Sequence, residues 1–253
     1  MDHALHRAFR TTVRLLWLTG ELLLALVSFA ALALRHAGIP DRELRACWLQ
    51  RVCRRLLRVF SIGLRISGPV PSTGMLVCNH LSYLDIVLIG ATTPCIFVSK
   101  SEVKRWPLFG WIASLAGTLF VHRNKHSDLA RITREMSQVL DAGSLLVLFP
   151  EGTTSDGSEV LPFKSSLFEP ATRQPQGLSV GFIAYALNDG SVPDEVCYWR
   201  DMTLVPHLIN LLGKRGLEAR LCFTDIQQHS PDRKLIARQL HSEIVRLKEA
   251  FSV

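Results

Sequence analysis

The sequence has 253 residues, of which 48% are hydrophobic and 20% are charged, and its formal net charge is +7. Residues 1–66 carry all of this excess, with eleven Lys and Arg against four Asp and Glu, whereas residues 67–253 carry eighteen of each. Nucleic-acid-binding domains carry their basic residues on the folded surface, so this distribution argues against nucleic acid and favours contact with an anionic membrane.

The first predicted element is a long apolar helix. Residues 15–34 contain Glu21 as their only charge, and a helix of twenty residues is ~30 Å long, close to the hydrocarbon thickness of a bilayer. Glu21 is costly at a bilayer centre and arginines flank both ends, so a spanning helix and a helix lying in the membrane surface both remain open. A signal peptide is a third interpretation, which the length of the run and Glu21 disfavour.

Residues 43–60 predict a second helix that is amphipathic and basic. Its apolar side holds Leu49, Val52, Cys53, Leu56 and Phe60, and its basic side holds Arg51, Arg54, Arg55 and Arg58. An interfacial membrane helix and a helix packed on the domain both fit this pattern, and we favour the first. We therefore expect membrane-anchoring and basic amphipathic helices in residues 1–66 and a separate domain in residues 67–253.

The rest of the chain alternates between strand and helix patterns. Strands are predicted at residues 75–78, 95–99, 118–121, 145–149, 179–186 and 219–224. Helices are predicted at residues 86–91, 108–116, 127–140 and 231–250, with Ser127 as an N-cap. This order predicts an α/β fold with a mostly parallel central sheet flanked by helices, and with an N-terminal membrane-associated helical segment.

His80 and Asp85 form an H-x-x-x-x-D pattern directly after a predicted strand, where functional residues of α/β sheets collect. On one regular helix the two residues would point ~140° apart and could not meet. A working pair therefore requires His80 in the loop, Ser82 as the helix cap and Asp85 near the first turn. On local chemistry alone, a structural histidine beside a capping aspartate is the commoner explanation.

The two residues belong to three ordered blocks through which residues 76–183 resemble the glycerolipid acyltransferase family of lysophosphatidate acyltransferases. The blocks comprise Asn79, His80 and Asp85, then residues 117–123, then residues 149–153. The resemblance implies that His80 and Asp85 are catalytic. It further implies that Arg123 binds the acceptor's phosphate and that Glu151 and Gly152 line the acceptor site.

The chemistry of these blocks agrees with the resemblance. A guanidinium suits bidentate phosphate contact, and the Gly152-Thr153 turn can offer backbone N–H groups to an anion, including the oxyanion of acyl transfer. As members of the first and third blocks, Asn79 and Thr153 are implied by the resemblance to lie at the substrate site as well. Lys100, Lys104 and Lys164 could contact an anionic head group or carrier, although solvated lysines are the commoner explanation.

Two regions depart from the family pattern. The family usually has a fourth block, a Val-x-Pro-Val-like strand, and Val180 stands at the place of its Pro. Ser166 stands where a Gly commonly follows the Phe-Lys pair, here Phe163-Lys164. Residues 185–208 instead resemble a bacterial subgroup that includes lyso-ornithine lipid acyltransferases, through Asp194, Trp199, Asp201, Met202, Pro206 and His207. A packed insertion is the alternative explanation for these residues.

Three other functions compete with acyl transfer. Residues 177–181 satisfy G-x-S-x-G, which would make Ser179 the nucleophile of a serine hydrolase or thioesterase, although the predicted strand after Ser179 is the wrong context. His122 and His126 have the spacing of metal ligands, but no acidic or Cys residues cluster nearby, so no metal is expected. A catalytically inactive membrane-binding module is the third alternative.

We therefore expect a membrane-bound O-acyltransferase of phospholipid biosynthesis in which His80 is the general base. Its acceptor would be a lysophospholipid resembling 1-acyl-sn-glycerol-3-phosphate, with a lyso-ornithine lipid as the alternative. Acyl-CoA or acyl carrier protein would be the co-substrate, membrane lipids would be partners, and no resident cofactor is expected. We expect a bacterial inner membrane location with the site facing the cytoplasm.

Overall fold

A computed structural model of the protein describes residues 2–106, 108–122, 126–172, 177–227 and 230–251. Its α-helices are α1 (Asp2–Arg35), α2 (Arg42–Val59), α3 (Leu84–Thr92), α4 (Phe109–Leu115), α5 (His126–Asp141), α6 (Val192–Glu195), α7 (Leu204–Leu212) and α8 (Arg233–Phe251). Its strands are β1 (Ile62–Ser67), β2 (Gly74–Cys78), β3 (Ile96–Lys100), β4 (Leu119–Val121), β5 (Leu145–Leu148), β6 (Leu178–Ala186) and β7 (Leu217–Ile226). Short 3-10 helices lie at Ser101–Arg105, Ser165–Phe168 and Pro170–Thr172.

The strands form one seven-stranded sheet in the order β1-β7-β6-β2-β5-β3-β4. Every neighbouring pair is parallel except β6 and β7, which are antiparallel. The predicted α/β fold with a mostly parallel sheet and flanking helices is therefore confirmed. Helix α5 begins at His126, so Ser127 lies inside the helix and the prediction that it caps the helix is wrong.

Strand β1 is an element that the sequence patterns did not predict. It pairs in parallel with β7 from Ile62 opposite Leu217 to Ser67 opposite Cys222. Only its first residue is buried, because the strand lies at the edge of the sheet. The strand crosses residue 66, so the sheet extends into the basic N-terminal part of the chain.

The sheet separates two apolar layers, and the alternation of β2 supplies both of them. Leu76 and Cys78 pack with the layer of α2, α3 and α7, whereas Met75 and Val77 pack with the layer of α5 and α8. All residues of β2 and β5 are buried, as expected for central strands with helices on both faces. The loops that follow these two strands carry two of the three sequence blocks.

Helices α1 and α2 pack on the domain rather than standing apart from it. The apolar side of α2 is buried against α3 and the first layer, so the domain-packed interpretation of this helix is the correct one. Helix α1 covers α2, with Trp48 donating from Nε1 to Ser28 Oγ at 3.0 Å and Arg55 pairing with Glu21 at 2.7 Å. Near its N-terminal end, Arg10 donates to the carbonyl of Gly213, which ends α7.

The opposite side of α1 remains apolar and exposed. It carries Leu5, Phe9, Val13, Leu15, Leu16, Trp17, Leu23, Leu24, Val27 and Leu34. Within the described residues, His3–Arg35 is the one helix that is long and apolar enough to cross a membrane.

Candidate active site

His80 and Asp85 meet in the structure with a separation of 2.7 Å between Nδ1 and Oδ2. β2 ends at Cys78 and α3 begins at Leu84, so His80 lies in the loop and Asp85 is the second residue of the helix. This is the arrangement that the five-residue spacing required. Asp85 is fully buried, and its Oδ2 also accepts the backbone N–H groups of Leu81 at 2.7 Å and Ser82 at 3.0 Å.

The predicted capping role of Ser82 is wrong. The residue before the helix is Tyr83, and the Ser82 hydroxyl is buried without a hydrogen-bond partner among the described residues. Asp85 takes over the work of a cap from inside the helix, because its carboxylate turns back to the two preceding N–H groups. In the same orientation the carboxylate reaches the imidazole, so one side chain holds both the loop and the His80 ring.

The His80 ring is held in one orientation. It stacks on Phe149 with a centroid distance of 4.1 Å and an interplanar angle of 18°. A carboxylate can only accept, so Nδ1 carries the proton of the neutral ring and Nε2 keeps its lone pair. Nε2 makes no hydrogen bond to any residue that the structure describes, and the side chain is 18% exposed at the wall of a cleft. This nitrogen is therefore available to a substrate proton.

The cleft has a volume of about 710 Å³ and is mostly apolar. Helices α1 to α4 and the Phe97 and Phe149 rings form its apolar part, which includes Leu22, Leu49, Val52, Cys53, Leu56, Phe60, Ile86, Val87, Phe109, Ile112 and Ala113. Its polar wall includes Lys100, His122, Gly152, Thr153, Thr154 and Lys164. His80 lies on the wall of this same cleft, so a ligand with a long apolar chain and a polar head can reach the imidazole.

The third sequence block follows β5 and lies against the His80 loop. Gly152 has φ +70°, a left-handed conformation that favours glycine, and it lines the cleft together with Thr153. The Gly152 N–H donates to the carbonyl of Phe149 at 3.0 Å. That N–H is therefore already used within the turn, and the stabilisation of an oxyanion by N–H groups of this loop stays a prediction.

Glu151 is buried and binds the backbone of two loops of the site. The residue is 4% exposed, and its carboxylate accepts the backbone N–H groups of His80 at 2.9 Å and Leu161 at 3.3 Å. Burial raises the pKa of Glu151 to about 7, although these two donors and nearby Lys248 act in the opposite direction. Glu151 is not among the residues that line the cleft in the described part of the chain, so its contact with substrate is not seen.

Asn79 likewise connects backbone segments. Its side-chain amide donates to the carbonyl of Ile183 at 3.0 Å and accepts the N–H of Ile183 at 2.8 Å. The buried amide thus continues the pairing of β2 with β6 by one residue. It lies beside a second cavity of about 130 Å³ rather than at the cleft.

The cationic residues divide into three groups. Lys100 and Lys164 line the cleft, as a contact with an anionic group requires. Lys104 lies over the Phe120 ring at 5.9 Å. Arg123, the residue implied to bind phosphate, lies outside the described residues, whereas its neighbour His122 is exposed and lines the cleft.

The serine hydrolase alternative is contradicted by the position of Ser179. This residue lies within β6, so the strand-to-helix turn that exposes a nucleophilic serine does not exist here. Its hydroxyl donates to Asp225 at 2.8 Å across the antiparallel pair. Of the proposed metal ligands, His122 is described, but the side chain of His126 lies outside the described residues.

Sequence patterns missed two tyrosines at this site. Tyr185 on β6 donates from its hydroxyl to Asp85 Oδ1 at 2.6 Å. Tyr198 lines the cleft. Its backbone connects the loops after β2 and β5, because its N–H donates to the carbonyl of Leu81 at 2.8 Å and its carbonyl accepts from the Thr154 hydroxyl. A hundred residues separate Tyr185 from Asp85, so no local spacing could have revealed the contact.

Fold and site together define an α/β enzyme with a histidine–aspartate pair beside an apolar cleft. A family model described as Acyltransferase matches residues 65–188. A lyso-ornithine lipid O-acyltransferase of Pseudomonas aeruginosa is 36% identical over 245 residues, which cover 94% of this chain and 92% of that protein. The chain therefore belongs to the acyltransferase family and is an acyltransferase.

Two further comparisons agree with this assignment. A 1-acyl-sn-glycerol-3-phosphate acyltransferase of Neisseria meningitidis is 39% identical over 137 residues, which cover 53% of each chain. The crystal structure of the 1-acyl-sn-glycerophosphate (LPA) acyltransferase PlsC from Thermotoga maritima matches with a TM-score of 0.60 at 19% identity, over 98% of this chain and 95% of that one. The second similarity shows that the fold is shared.

Proposed function

We propose that this acyltransferase moves a fatty acyl group from a thioester to the hydroxyl of a lysolipid, with His80 as general base. The observation that carries the proposal is the placement of His80: Nδ1 bonds to a buried carboxylate, and the ring lies at the wall of a long apolar cleft. The cleft suits acyl chains, which are common to donor and acceptor.

The proposed reaction is direct transfer. His80 Nε2 takes the proton of the acceptor hydroxyl while that oxygen attacks the thioester carbonyl, and the imidazolium is stabilised by Asp85. The tetrahedral intermediate then collapses, the carbon–sulfur bond breaks, and the leaving thiolate takes the proton from His80. The products are the ester and the free thiol, and no acyl-enzyme forms.

We propose a lyso-ornithine lipid as the acceptor. The relative from Pseudomonas aeruginosa has this acceptor in its name and aligns over nearly the whole chain, whereas the relative from Neisseria meningitidis aligns over about half. Lysophosphatidate, which the resemblance alone placed first, becomes the alternative. An ornithine head offers a carboxylate where lysophosphatidate offers a phosphate, and Lys100 and Lys164 at the cleft suit either anion.

We propose further that the protein attaches to one face of a membrane through α1. The apolar side of α2 is covered, so the exposed side of α1 is the large apolar surface that a bilayer would contact. Its other side holds Leu18, Leu22, Ala25 and Phe29 in the core, which favours a helix lying in the interface over one that spans alone. Acyl-CoA or acyl carrier protein would then arrive from the water, and the proposed side is the cytoplasmic one.

The test uses purified protein in detergent micelles. The donor is labelled acyl-CoA in one series and acyl carrier protein loaded with the same labelled acyl group in the other. Each donor is combined with lyso-ornithine lipid and with lysophosphatidate. We expect ester formation with lyso-ornithine lipid, abolished in His80→Ala and retained in His36→Ala, an exposed histidine outside the cleft. Full activity of His80→Ala would refute the mechanism, and transfer to lysophosphatidate alone would refute the proposed acceptor.

Membrane attachment has its own experiment. The protein is mixed with anionic or zwitterionic vesicles and floated on a density gradient. We expect flotation with anionic vesicles, weakened when Leu16 and Val27 on the exposed side of α1 are both replaced by Asn. A protein that stays at the bottom of the gradient with both kinds of vesicle would exclude this surface as a membrane contact.

A further inference from the structure

The Asp85 carboxylate uses its two oxygens for different purposes. Oδ2 accepts from His80 Nδ1 and from the N–H groups of Leu81 and Ser82, which belong to the same loop. Oδ1 accepts from Tyr185 at 2.6 Å, and this donor comes from β6 on another part of the chain. A short hydrogen bond from a neutral hydroxyl to a carboxylate is among the stronger kinds in proteins.

The position of the Tyr185 hydroxyl is set by the sheet. Asn79 bonds through its amide to both backbone groups of Ile183, which fixes β6 against the end of β2. Ile183 and Tyr185 are two residues apart on one strand and share a face, so the same contact brings the Tyr185 ring to the start of α3. β6 is also paired with β7 along its whole length, which fixes the backbone that carries the Tyr185 ring.

We propose that Tyr185 is a positioning residue for the base, which fixes the Asp85 carboxylate toward His80 and withdraws part of its negative charge from the imidazole. The inference rests on the proposed role of His80. It predicts that the strength of the Tyr185 donor sets the basicity of His80. A hydroxyl that only fills space would have no such effect.

The other titratable groups around this pair are compatible with that role. Burial, together with the negative charge of Asp85, raises the pKa of Tyr185 well above its ordinary value, so its hydroxyl remains a donor at neutral pH. Burial also raises the pKa of Cys78 well above the ordinary value and that of Cys197 to about 12, so both thiols stay neutral. Tyr83 is neutral for the same reason. Glu151 interacts electrostatically with Asp85, and burial raises the pKa of Glu151 to about 7, so the readout must report on His80 itself.

The first experiment is Tyr185→Phe, with Tyr83→Phe as the matched control because it also removes the hydroxyl of a half-buried tyrosine, one bonded to His207. We expect Tyr185→Phe to lower kcat roughly tenfold with KM within about twofold. The imidazole titration of His80, followed by NMR on histidine-labelled protein and assigned with His80→Ala, should move to higher pH. Tyr83→Phe should leave that titration in place.

The second experiment keeps the ring and changes only the donor. Site-specific replacement of Tyr185 by 3-fluorotyrosine makes the hydroxyl a stronger donor, so the His80 titration should move to lower pH, opposite to the effect of Phe. This variant also decides the matter if Tyr185→Phe does not fold.

The outcomes separate cleanly. Opposite shifts in the two variants support the positioning role. An unshifted His80 titration in both variants, whether or not kcat or thermal stability falls, would overturn it. If His80→Ala remained active, the proposed function itself would fail, which is a different result from normal behaviour of the Tyr185 variants in an enzyme that requires His80.

Discussion

The carboxylate of Glu151 accepts the backbone N–H of His80 at 2.9 Å, so a residue of the third sequence block fixes the backbone of the first. Its other oxygen accepts the N–H of Leu161, which also fixes the loop after β5. A neutral carboxyl could keep one of these bonds at full strength, whereas a carboxylate serves both. The protonation state of Glu151 therefore bears on the loop that carries the proposed base.

Glu151 should make stability depend on pH. Because burial raises its pKa from 4.5 to about 7, the folded protein binds more protons than the unfolded chain within this window. The contribution of Glu151 to the free energy of unfolding is therefore greatest below pH 4.5. It falls by on the order of 3 kcal/mol as the pH rises to 7. Urea unfolding of Glu151→Gln across the same window should lack this component, and parallel curves for the two proteins would contradict the assignment.

Replacing Asp85 by Asn should disable the base without changing the binding of substrate in the cleft. The amide would place an N–H₂ group where Asp85 now accepts from the His80 ring and from backbone N–H groups. We expect kcat to fall about 10²- to 10⁴-fold. KM for the thioester should change little, because Asp85 does not line the cleft in the described structure. The matched control is Asp225→Asn, which lies away from the cleft and should keep its activity; equal loss in both variants would count against a specific role for Asp85.

The apolar part of the cleft should limit acyl-chain length. Ala113 on α4 is half-buried and lines this part, so Ala113→Leu adds three carbon atoms inside it. We expect kcat/KM for the longest acyl donors to fall about tenfold relative to short ones, since an overfilled apolar site costs about 1 to 3 kcal/mol. Ala130→Leu adds the same group at an exposed position on α5 and should leave the chain-length profile unchanged. An unaltered profile in Ala113→Leu would place the acyl chain elsewhere.

The ion pair between Glu21 and Arg55 should stabilise the packing of α1 on α2. Arg55 has a buried guanidinium nitrogen without a partner in the described structure, so Glu21→Leu would leave more of this charge unpaired. Since the pair is partly exposed, we expect a loss of about 1 to 3 kcal/mol, measured by thermal unfolding in micelles. The double variant Glu21→Leu with Arg55→Leu should recover most of the loss. A double variant no more stable than the single one would show that the pair is not the cause.

Local patterns predicted much of this protein correctly. The alternation of strand and helix segments along the chain predicted the mostly parallel sheet. Each segment was recognised from its hydrophobic periodicity, which depends only on residues close together in the sequence. The spacing of His80 and Asp85 excluded a shared regular helix and so predicted the loop and the contact, although it assigned the cap to Ser82. Resemblance to a family then named the blocks, since short motifs are read along the chain.

Contacts between distant segments were decided by the tertiary structure alone. Periodicity shows that α2 has an apolar side, but only the packed chain shows that α3 covers it and that one side of α1 faces outward. The same holds for Asp85, whose hydrogen bond to Tyr185 depends on the register of β6 against β2. Register is set by the pairing of whole strands and by the core beneath them, so it is not contained in the spacing of any short segment.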